Sequence, residues 1–300
     1  MAISRAQLVK ELEPGLNALF GLEYKSYANE HAEIFDTESS DRAFEEEVML
    51  SGFANASVKP EGQGVQFDDA QETFTARYTN ETIALAFAIT EEAIEDNLYD
   101  RLASRYTKAL ARSMANTKQV KAAAVLNNGF NANFAGGDGV ALFATDHPTI
   151  AGTFSNELAV ASDLNETSLE QALIDIAAMT DERGLKIASR GMKLIIPSAL
   201  QFTADRLMKS EGRTGTADND INAVRNMGMI PEGYTVNHFL TSNKKWFIKT
   251  DVPNGLKHFV RSPIKTSMEG DFDTGNVRYK ARERYVFGFS DPRGIFGSDI

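Results

Sequence analysis

The chain has 300 residues, of which 42% are hydrophobic and 24% charged, so it can bury the core of one large or two modest domains. Its net charge of −11 argues against a protein that grips nucleic acid through a basic face, and the lack of cysteine excludes disulfides and thiolate chemistry. No apolar run is long enough to span a bilayer, and the first residues contain no hydrophobic signal core, so we expect no membrane partner.

The first notable segment runs from about Ala43 to Thr90 and contains few residues that could form a core. It opens with an acidic patch, Glu45-Glu46-Glu47, and passes through residues that favour turns, namely Gly52, Pro60, Gly62 and Gly64. An extension of this kind cannot easily bury itself against its own domain, so we predict that it packs on something else. An ordinary surface hairpin is the open alternative.

Two strands are predicted within and after this segment. The first covers Thr73 to Tyr78, with Phe74 and Tyr78 spaced among polar residues. The second covers Thr82 to Ile89, where large and small side chains alternate. Such alternation is typical of a strand with one large-residue face and one small-residue face.

A long helix is predicted from Thr90 to about Asn127. Acidic residues dominate its first turns and basic residues its later ones, which complements the helix dipole. Apolar residues recur every four positions and predict one buried face made of Ile94, Leu98, Leu102, Tyr106, Leu110 and Met114. A helix of roughly 50 Å would serve as a spine for a flat molecule, or simply as a long core helix.

The second half of the chain mixes helices and strands without regular alternation, which predicts an α+β fold. Residues 128–155 are predicted to be loop, and capping boxes near Thr167 predict a helix start. A buried strand from Lys193 to Ile196 is predicted to stop at Pro197, followed by a helix from Ser198 to Met208.

Three further features complete this half. A polar loop runs from Glu211 to Asn222, and Asn243-Lys244 is predicted to form a hairpin turn that leads into Trp246. The stretch from Val277 to Phe289 is rich in aromatic and β-branched residues and predicts a strand.

No motif in the sequence predicts catalysis, a cofactor or a metal site. The four histidines are far apart, and we expect each of them in a loop or on the surface. The sequence Asp146-His147-Pro148 lacks a nucleophile motif, so a catalytic dyad is disfavoured. The glycines around Asp138 predict a turn, as does the segment from Asp271 to Asn276, which lacks the glutamate of a calcium loop. We therefore expect a protein that is not an enzyme.

Several phrases in the sequence nevertheless resemble a known family. The first segment is Phe130 to Ser155, which contains the sequence Leu-Phe-Ala-Thr-Asp-His-Pro. The second is Trp246 to Phe259, and the third runs from Asp271 to Gly294 and ends in Ser-Asp-Pro-Arg-Gly. Together with the order of elements, they resemble the major capsid proteins of tailed bacteriophages with the Hong Kong 97 fold, in the branch of Mu-like prophage major head subunits. The resemblance covers nearly the whole chain.

The resemblance implies a structural protein that assembles into hexamers and pentamers of an icosahedral shell around double-stranded DNA. It implies a scaffolding protein and a portal as partners, and it does not decide whether decoration proteins are present. It also implies that the shell contacts the packaged DNA non-specifically. The protein would be found in the virion, and in the host cytoplasm during assembly. An encapsulin-type shell of the same fold and a soluble α+β enzyme are the alternatives.

The resemblance also implies a division of the chain into domains. Residues 1–42 would form an N-terminal arm beneath adjacent subunits, and residues 43–89 an extended loop that reaches over a neighbour. Residues 90–162 and 262–289 would form a peripheral domain with the spine helix, and residues 163–261 and 290–300 an axial domain.

Assembly contacts are expected from exposed charges and from residues of the extended loop. We expect the acidic patch to pair with a neighbour, for example with the Arg101 to Arg112 face of the spine helix. Lys59 is the only lysine of the loop and so the sole candidate there for an isopeptide cross-link. The residues predicted to form interfaces are Glu45, Glu46, Glu47, Lys59, Phe67, Phe74, Arg77, Tyr78, Arg101, Arg105, Arg112, Arg213, Asp218 and Asp220.

Overall fold

A computed structural model of the chain describes residues 5–90, 92, 99–213, 220–271 and 275–300, with the backbone alone for residues 5–12 and 99–102. The helices are α1 Arg5–Ser26, α2 Tyr99–Asn127, α3 Glu166–Ala178, α4 Gln201–Lys209 and α5 Ala223–Asn226. The strands are β1 Asp36–Ser39, β2 Phe44–Leu50, β3 Glu72–Thr79, β4 Glu81–Ile89, β5 His147–Thr149, β6 Gly152–Phe154, β7 Gly191–Ile196, β8 Tyr234–Val236, β9 Trp246–Thr250, β10 Leu256–Gly270, β11 Val277–Phe289 and β12 Ile295–Ser298.

The strands form two four-stranded sheets and two hairpins. The long sheet has the order β1-β10-β11-β4, and the second sheet has the order β12-β9-β7-β8. Strands β2 and β3 form a separate antiparallel ribbon, and β5 and β6 form a short hairpin. The mixture of helices with two sheets confirms the predicted α+β class.

Helices α1 and α2 cover one face of the long sheet. Phe20 of α1 and Met114 of α2 are buried against Tyr279 and Ala281 of β11. Strand β11 occupies the predicted range Val277 to Phe289, and its odd-numbered residues from Val277 to Tyr285 are buried while Arg278, Lys280 and Arg282 are exposed. One face of this sheet is therefore core, and the other is open.

Helix α2 confirms the predicted helix within the described residues but not its predicted buried face. Leu110 and Met114 are buried as expected, whereas Tyr106 is 48% exposed and Ala103 lies on the buried side. A strict four-residue spacing turns by about 40° per step relative to the helix, so it cannot follow one face for long. The remaining predicted positions Ile94 and Leu98, and the side chain of Leu102, lie outside the described residues.

The second sheet has its own core. Trp246 and Ile248 of β9 and Leu194 of β7 are fully buried beneath α3 and α4. The Trp246 indole Nε1 donates to the carbonyl oxygen of Ser162 at 3.0 Å, so its polar atom is satisfied on burial. The predicted strand ending at Ile196 is confirmed, and the predicted helix after Pro197 begins as a 3-10 turn and continues as α4.

Two local predictions in this half need correction. Helix α3 is capped by Asn165, whose side chain accepts from the backbone N–H of Ser168, so it starts earlier than Thr167. Asn243-Lys244 is not the turn of a hairpin, because β9 pairs antiparallel with β7 while β8 pairs with the other edge of β7. The connection from β8 to β9 therefore crosses β7, a non-local pairing that local turn residues do not report.

A further cluster of buried apolar side chains contacts both sheets. Phe35, Leu126 and Phe143 pack with Phe247 of β9 and Ile295 of β12. Phe35 precedes β1, which pairs parallel with β10, so this part of the predicted N-terminal arm belongs to the chain's own core. The predicted domain boundary after residue 261 falls within β10, Leu256–Gly270, at a point where the pairing of β10 with β11 shifts its register.

The expectation that the histidines are surface or loop residues is wrong for three of them. His31, His147 and His258 are buried, while the His238 side chain is exposed. Each buried ring has a polar partner that sequence spacing does not reveal. The amide of Gln119 donates to His31 Nδ1 at 2.9 Å, and His258 Nδ1 hydrogen-bonds with Thr37 Oγ1 at 3.1 Å.

Candidate assembly surface

The ribbon formed by β2 and β3 leaves the body of the protein from the open face of the long sheet. Its root packs there through Tyr78, whose ring centroid lies 4.9 Å from that of Phe259. Ala76 and the partly buried Val286 complete this contact. The strands confirm the prediction of Thr73 to Tyr78, and the residues between them, 51–71, form the tip.

Two glycines permit the close approach of the ribbon root. A Cβ atom on Gly288 of β11 would lie 2.6 Å from the ring of Tyr78. A Cβ atom on Gly137 would lie 2.8 Å from the carbonyl oxygen of Thr75 in β3. Larger residues at either position would push the ribbon away from the body, so the glycines help to fix where it emerges.

A polar network also holds the root. The hydroxyl of Tyr78 hydrogen-bonds with Ser290, which in turn donates to the carboxylate of Glu47. Lys257 is buried between Glu47, at 3.7 Å, and Glu38. Burial opposes the charge of Lys257, but the hydrogen bond to Glu38 and the nearby carboxylates outweigh it and raise its pKa. The network thus joins β1, β2, β10 and the end of β11.

The acidic patch is divided between two sides of β2, whose residues alternate between partly buried and exposed. Glu45 Oε1 accepts hydrogen bonds from Ser40 Oγ at 2.8 Å and from the backbone N–H of Asp41 at 3.2 Å. The bond from Ser40 is the main reason that the pKa of Glu45 is lowered. Glu45 and Glu47 therefore have partners within the chain, and Glu46 is the member that faces outward.

The cationic neighbour of Glu46 within the chain is Arg77 and not an arginine of α2. The two residues are paired across the ribbon, with 3.8 Å between Arg77 Nε and Glu46 Oε1, and both are well exposed. The guanidinium of Arg77 also lies 3.9 Å above the Phe44 ring. The predicted contact between the acidic patch, Glu45 to Glu47, and α2 of a neighbour stays a prediction.

The tip exposes apolar side chains that nothing in the described chain covers. Phe67 is 94% exposed and Val58 is 92% exposed, and Phe53 and Val65 are exposed as well. Lys59 lies beside them and is also exposed. Apolar side chains grouped in this way mark a surface that another molecule covers.

The remaining predicted interface residues lie in several places. Phe74 is half-buried in β3, and Arg105 and Arg112 are exposed on α2. Arg213 forms an ion pair with Glu166 at 3.0 Å, and its backbone N–H donates to the carbonyl oxygen of Asp220 at 2.8 Å. Asp218 and the side chain of Arg101 lie outside the described residues.

Sequence reasoning missed the cations on the open face of the long sheet. Arg278, Lys280 and Arg282 of β11 are exposed there, together with Lys265 of β10. The signal was present in the alternation of β11, in which every second residue from Arg278 to Arg284 is basic. The strand was predicted from its aromatic residues, and the charges between them were not assigned to a face.

The residues around His147 form a buried structural link. His147 Nδ1 lies 2.6 Å from Asp138 Oδ2, so its carboxylate partner is Asp138 and not the adjacent Asp146. His147 Nε2 lies 3.1 Å from Asn156 Oδ1, and the amide of Asn156 donates to the carbonyl oxygens of Leu142 and Pro292. The arrangement ties the loop before β5 to the C-terminal segment.

Within the ranges given above, no group of acidic residues and histidines could hold a metal ion. Over the same residues, no helix combines the length and the apolar composition that crossing a bilayer requires.

The chain has the same fold as subunits of several solved capsids. The chain superposes on the capsid of an empty GTA particle with a TM-score of 0.57 and 14% identity, over 90% of this chain and 89% of that one. For the procapsid of bacteriophage JBD30 the TM-score is 0.53 with 18% identity, over 99% and 76%. For the capsid of the cyanophage P-SCSP1u the TM-score is 0.55 with 11% identity, over 88% and 85%. These likenesses show that the chain has the Hong Kong 97-like fold.

A family profile described as phage capsid protein matches residues 72–297. The chain therefore belongs to the phage capsid protein family, a family of structural proteins, and is a major capsid protein that forms a shell. No curated protein matches the chain in sequence. The Mu-like branch that the resemblance implied stays a prediction.

Proposed function

We propose that the chain assembles into hexamers and pentamers of an icosahedral shell that encloses double-stranded DNA. The observation that carries this proposal is the exposed tip, because Phe53, Val58 and Phe67 have no cover within the described chain. A ribbon held firmly at its root and apolar at its far end is suited to reach over a neighbouring subunit. When the shell closes, many modest contacts between subunits act together and stabilise the whole particle.

In this proposal the peripheral domain consists of α2, the long sheet and the short β5–β6 hairpin. The axial domain consists of the second sheet with α3 and α4. The cores of the two sheets support such a division, with the boundary moved to the start of β10 at Leu256. The loop between α4 and α5 would point to the centre of each ring. The N-terminal arm would contribute neighbour contacts through residues that precede its own core contacts at Leu16 and Phe20.

The partners of the shell are proposed on the same basis. A scaffolding protein and a portal would guide assembly in the host cytoplasm, and decoration proteins are left open. Contact with packaged DNA would be non-specific, in keeping with the acidic balance of the chain. A cross-link through Lys59 would show as covalent multimers on denaturing gels of assembled particles.

The proposal is tested by negative-stain electron microscopy of the purified chain after size exclusion, with and without a co-expressed scaffolding protein. Closed particles, or discrete hexamers and pentamers, would support it. A monomer under every condition would contradict it and revive the enzyme alternative.

A cargo shell is the second candidate. The chain shares its fold with a virus-like particle from Pyrococcus furiosus, with a TM-score of 0.51 and 11% identity over 95% of this chain and 98% of that one. The two candidates are separated by the contents of particles made during infection. Nuclease-protected DNA inside them favours the phage shell, and protein cargo favours the alternative.

A further inference from the structure

Helix α2 carries a concentrated positive charge in a chain whose net charge is −11. From residue 101 to residue 127 the sequence has no acidic residue and six basic ones, namely Arg101, Arg105, Lys108, Arg112, Lys118 and Lys121. Two of these are neutralised within the chain, since Lys118 pairs with Glu283 at 3.3 Å and Lys121 pairs with Glu81. By contrast, Arg105, Lys108 and Arg112 form no ion pair with any residue that the structure describes.

Helical geometry brings the three unpaired cations onto one face of α2. A helix turns by about 100° per residue, so Arg105, Lys108 and Arg112 lie within an arc of about 60°. All three are exposed, and the exposed Asn116 continues the row by one more turn. The buried Met114 lies on the opposite side of the helix and faces the long sheet. We call Arg105, Lys108, Arg112 and Asn116 the α2 stripe.

The acidic patch of the ribbon offers little charge to balance the α2 stripe. Glu45 and Glu47 already have partners within their own chain, and Glu46 lies 3.8 Å from Arg77. The ribbon also packs on the other face of the long sheet, through Tyr78. Its exposed apolar tip needs an apolar cover, which a row of cations does not provide.

The phosphate backbone of a nucleic acid duplex fits the α2 stripe better. From Arg105 to Asn116 the stripe is about 16 Å long, and a DNA duplex carries one phosphate for about every 1.7 Å of its axis. Several phosphates therefore lie within reach of the stripe in any register. Arginine, lysine and asparagine side chains all donate hydrogen bonds to phosphate oxygens. Such contacts hold the backbone and do not read the base sequence.

We propose that the α2 stripe binds the phosphate backbone of double-stranded DNA without regard to sequence. The inference rests on the proposed enclosure of DNA by the shell and names the surface that contacts it. Three cations in an acidic chain give only a weak contact, in keeping with the overall charge of −11. Many copies of the chain in one particle act on the same DNA molecule, so weak contacts add up.

The test measures the binding of a fluorescein-labelled DNA duplex of mixed sequence to the full chain by fluorescence anisotropy. The chain is kept dilute, so that it is unassembled, and the salt concentration is varied between about 50 and 200 mM. For the parent, the logarithm of the binding constant should fall with the logarithm of the salt concentration with a slope of about −3, or about −0.9 for each of three neutralised phosphates.

The stripe variant carries Arg105→Gln, Lys108→Gln and Arg112→Gln, three changes at exposed positions. It should bind the duplex at least about tenfold more weakly at the lowest salt concentration and lose most of the salt dependence, since each lost phosphate contact lowers the slope by about 1. The matched control carries Lys186→Gln, Arg190→Gln and Lys244→Gln, which change the net charge equally at exposed positions elsewhere. It should keep the affinity and slope of the parent. Circular dichroism checks that all three proteins are folded.

Three results would overturn the inference. The first is a parent that does not bind the duplex, and the second is a stripe variant that binds as the parent does. The third is equal weakening in the stripe variant and the control, which would mean that net charge alone governs binding.

Sedimentation velocity of the same proteins at higher concentration separates the inference from the shell proposal. A stripe variant that binds DNA normally but no longer assembles would show that the stripe contacts a neighbouring subunit, and the inference would then be wrong. A parent that binds DNA through the stripe but never assembles would support the inference and contradict the shell proposal.

Discussion

The root and the tip of the ribbon are neighbours in sequence, but they differ in how far the protein itself buries their side chains. At the root, Tyr78 is buried against Phe259 and Gly288, and its hydroxyl reaches Ser290. At the tip, Phe67 and Val58 are almost fully exposed. The root is stabilised by its own chain. The body also reaches the backbone of the tip, where Arg183 Nη2 donates to the carbonyl oxygen of Asp69 at 2.6 Å, but the exposed apolar side chains of the tip gain contacts only when another molecule covers them.

This difference separates two properties of a shell subunit. Contacts at the root contribute to the free energy of unfolding of the single chain, and contacts at the tip contribute to the free energy of assembly. A change at the root should therefore be seen in the monomer, and a change at the tip only in the particle. Each prediction below tests one side of this division.

The largest expected effect is at the root. Tyr78→Ala removes a buried ring and its hydrogen bond, and we expect it to lower the free energy of unfolding by about 3–5 kcal/mol. Urea denaturation of the unassembled chain, followed by fluorescence of Trp246, measures the loss. Tyr78→Phe is the matched control, since it keeps the ring and should cost only about 1 kcal/mol. Equal losses for both variants would show that the hydroxyl, and not the packing, anchors the root.

A smaller effect is expected from crowding the same contact. Gly288→Ala places a methyl group 2.6 Å from the ring of Tyr78, which must move. We expect a loss of about 1–3 kcal/mol, and less in a Tyr78→Ala background where the ring is gone. Additive losses in the double variant would mean that the two residues do not share one contact.

Regular local patterns predicted much of the fold. Strands β3, β4, β7 and β11 follow from alternation or from a buried apolar run, and α2 follows from its apolar spacing and charge order. What failed depended on distant partners. The burial of His31 depends on Gln119, 88 residues away, and that of His258 on Thr37, 221 residues away. The false hairpin at Asn243 failed for the same reason, since β9 pairs with β7.

The candidate interface was predictable in outline and not in detail. Shortage of core residues pointed to the ribbon and its tip, residues 44–79, but the predicted extension also included β4, which pairs with β11 in the long sheet. The alternation of β2 could have placed Glu45 and Glu47 on one side and Glu46 on the other. Which side faces the body depends on Ser290 and Lys257, more than 200 residues away, and no local pattern reports it.

The body beside the root should respond to pH through a buried histidine. Burial, the charge of Lys118 and the neighbouring His31 lower the pKa of His258 to about 3. Since its unfolded pKa is about 6.5, the unfolded chain binds the proton more readily between these values, and stability is lost as the pH falls from 6.5 towards 3. Between pH 7 and pH 5 we expect His258 to account for a loss of about 1–2 kcal/mol.

Comparison with His258→Phe isolates this contribution, because the phenyl ring does not titrate and can still stack on Phe287. Burial raises the pKa of Glu283 in both proteins, and its opposite dependence on pH largely cancels in the difference. Denaturant midpoints of both proteins at pH 7 and pH 5 measure the effect. If both proteins lost the same stability between pH 7 and pH 5, His258 would be hydrated or protonated in the folded chain.

The smallest expected effect on the stability of the monomer is at the tip. A small effect there would separate the role of the tip in assembly from any role in folding. Phe67→Ser removes an apolar side chain that is 94% exposed, so the free energy of unfolding should change by less than about 0.5 kcal/mol. The same variant should raise the concentration needed for assembly by about tenfold or more, because burial of a phenyl ring at an interface contributes about 1.5–3 kcal/mol. Thr149→Ser, in the short β5–β6 hairpin, is a conservative control for both measurements. A monomer destabilised as strongly as by Tyr78→Ala would mean that the tip packs on its own chain in solution, and the division between root and tip would then not hold.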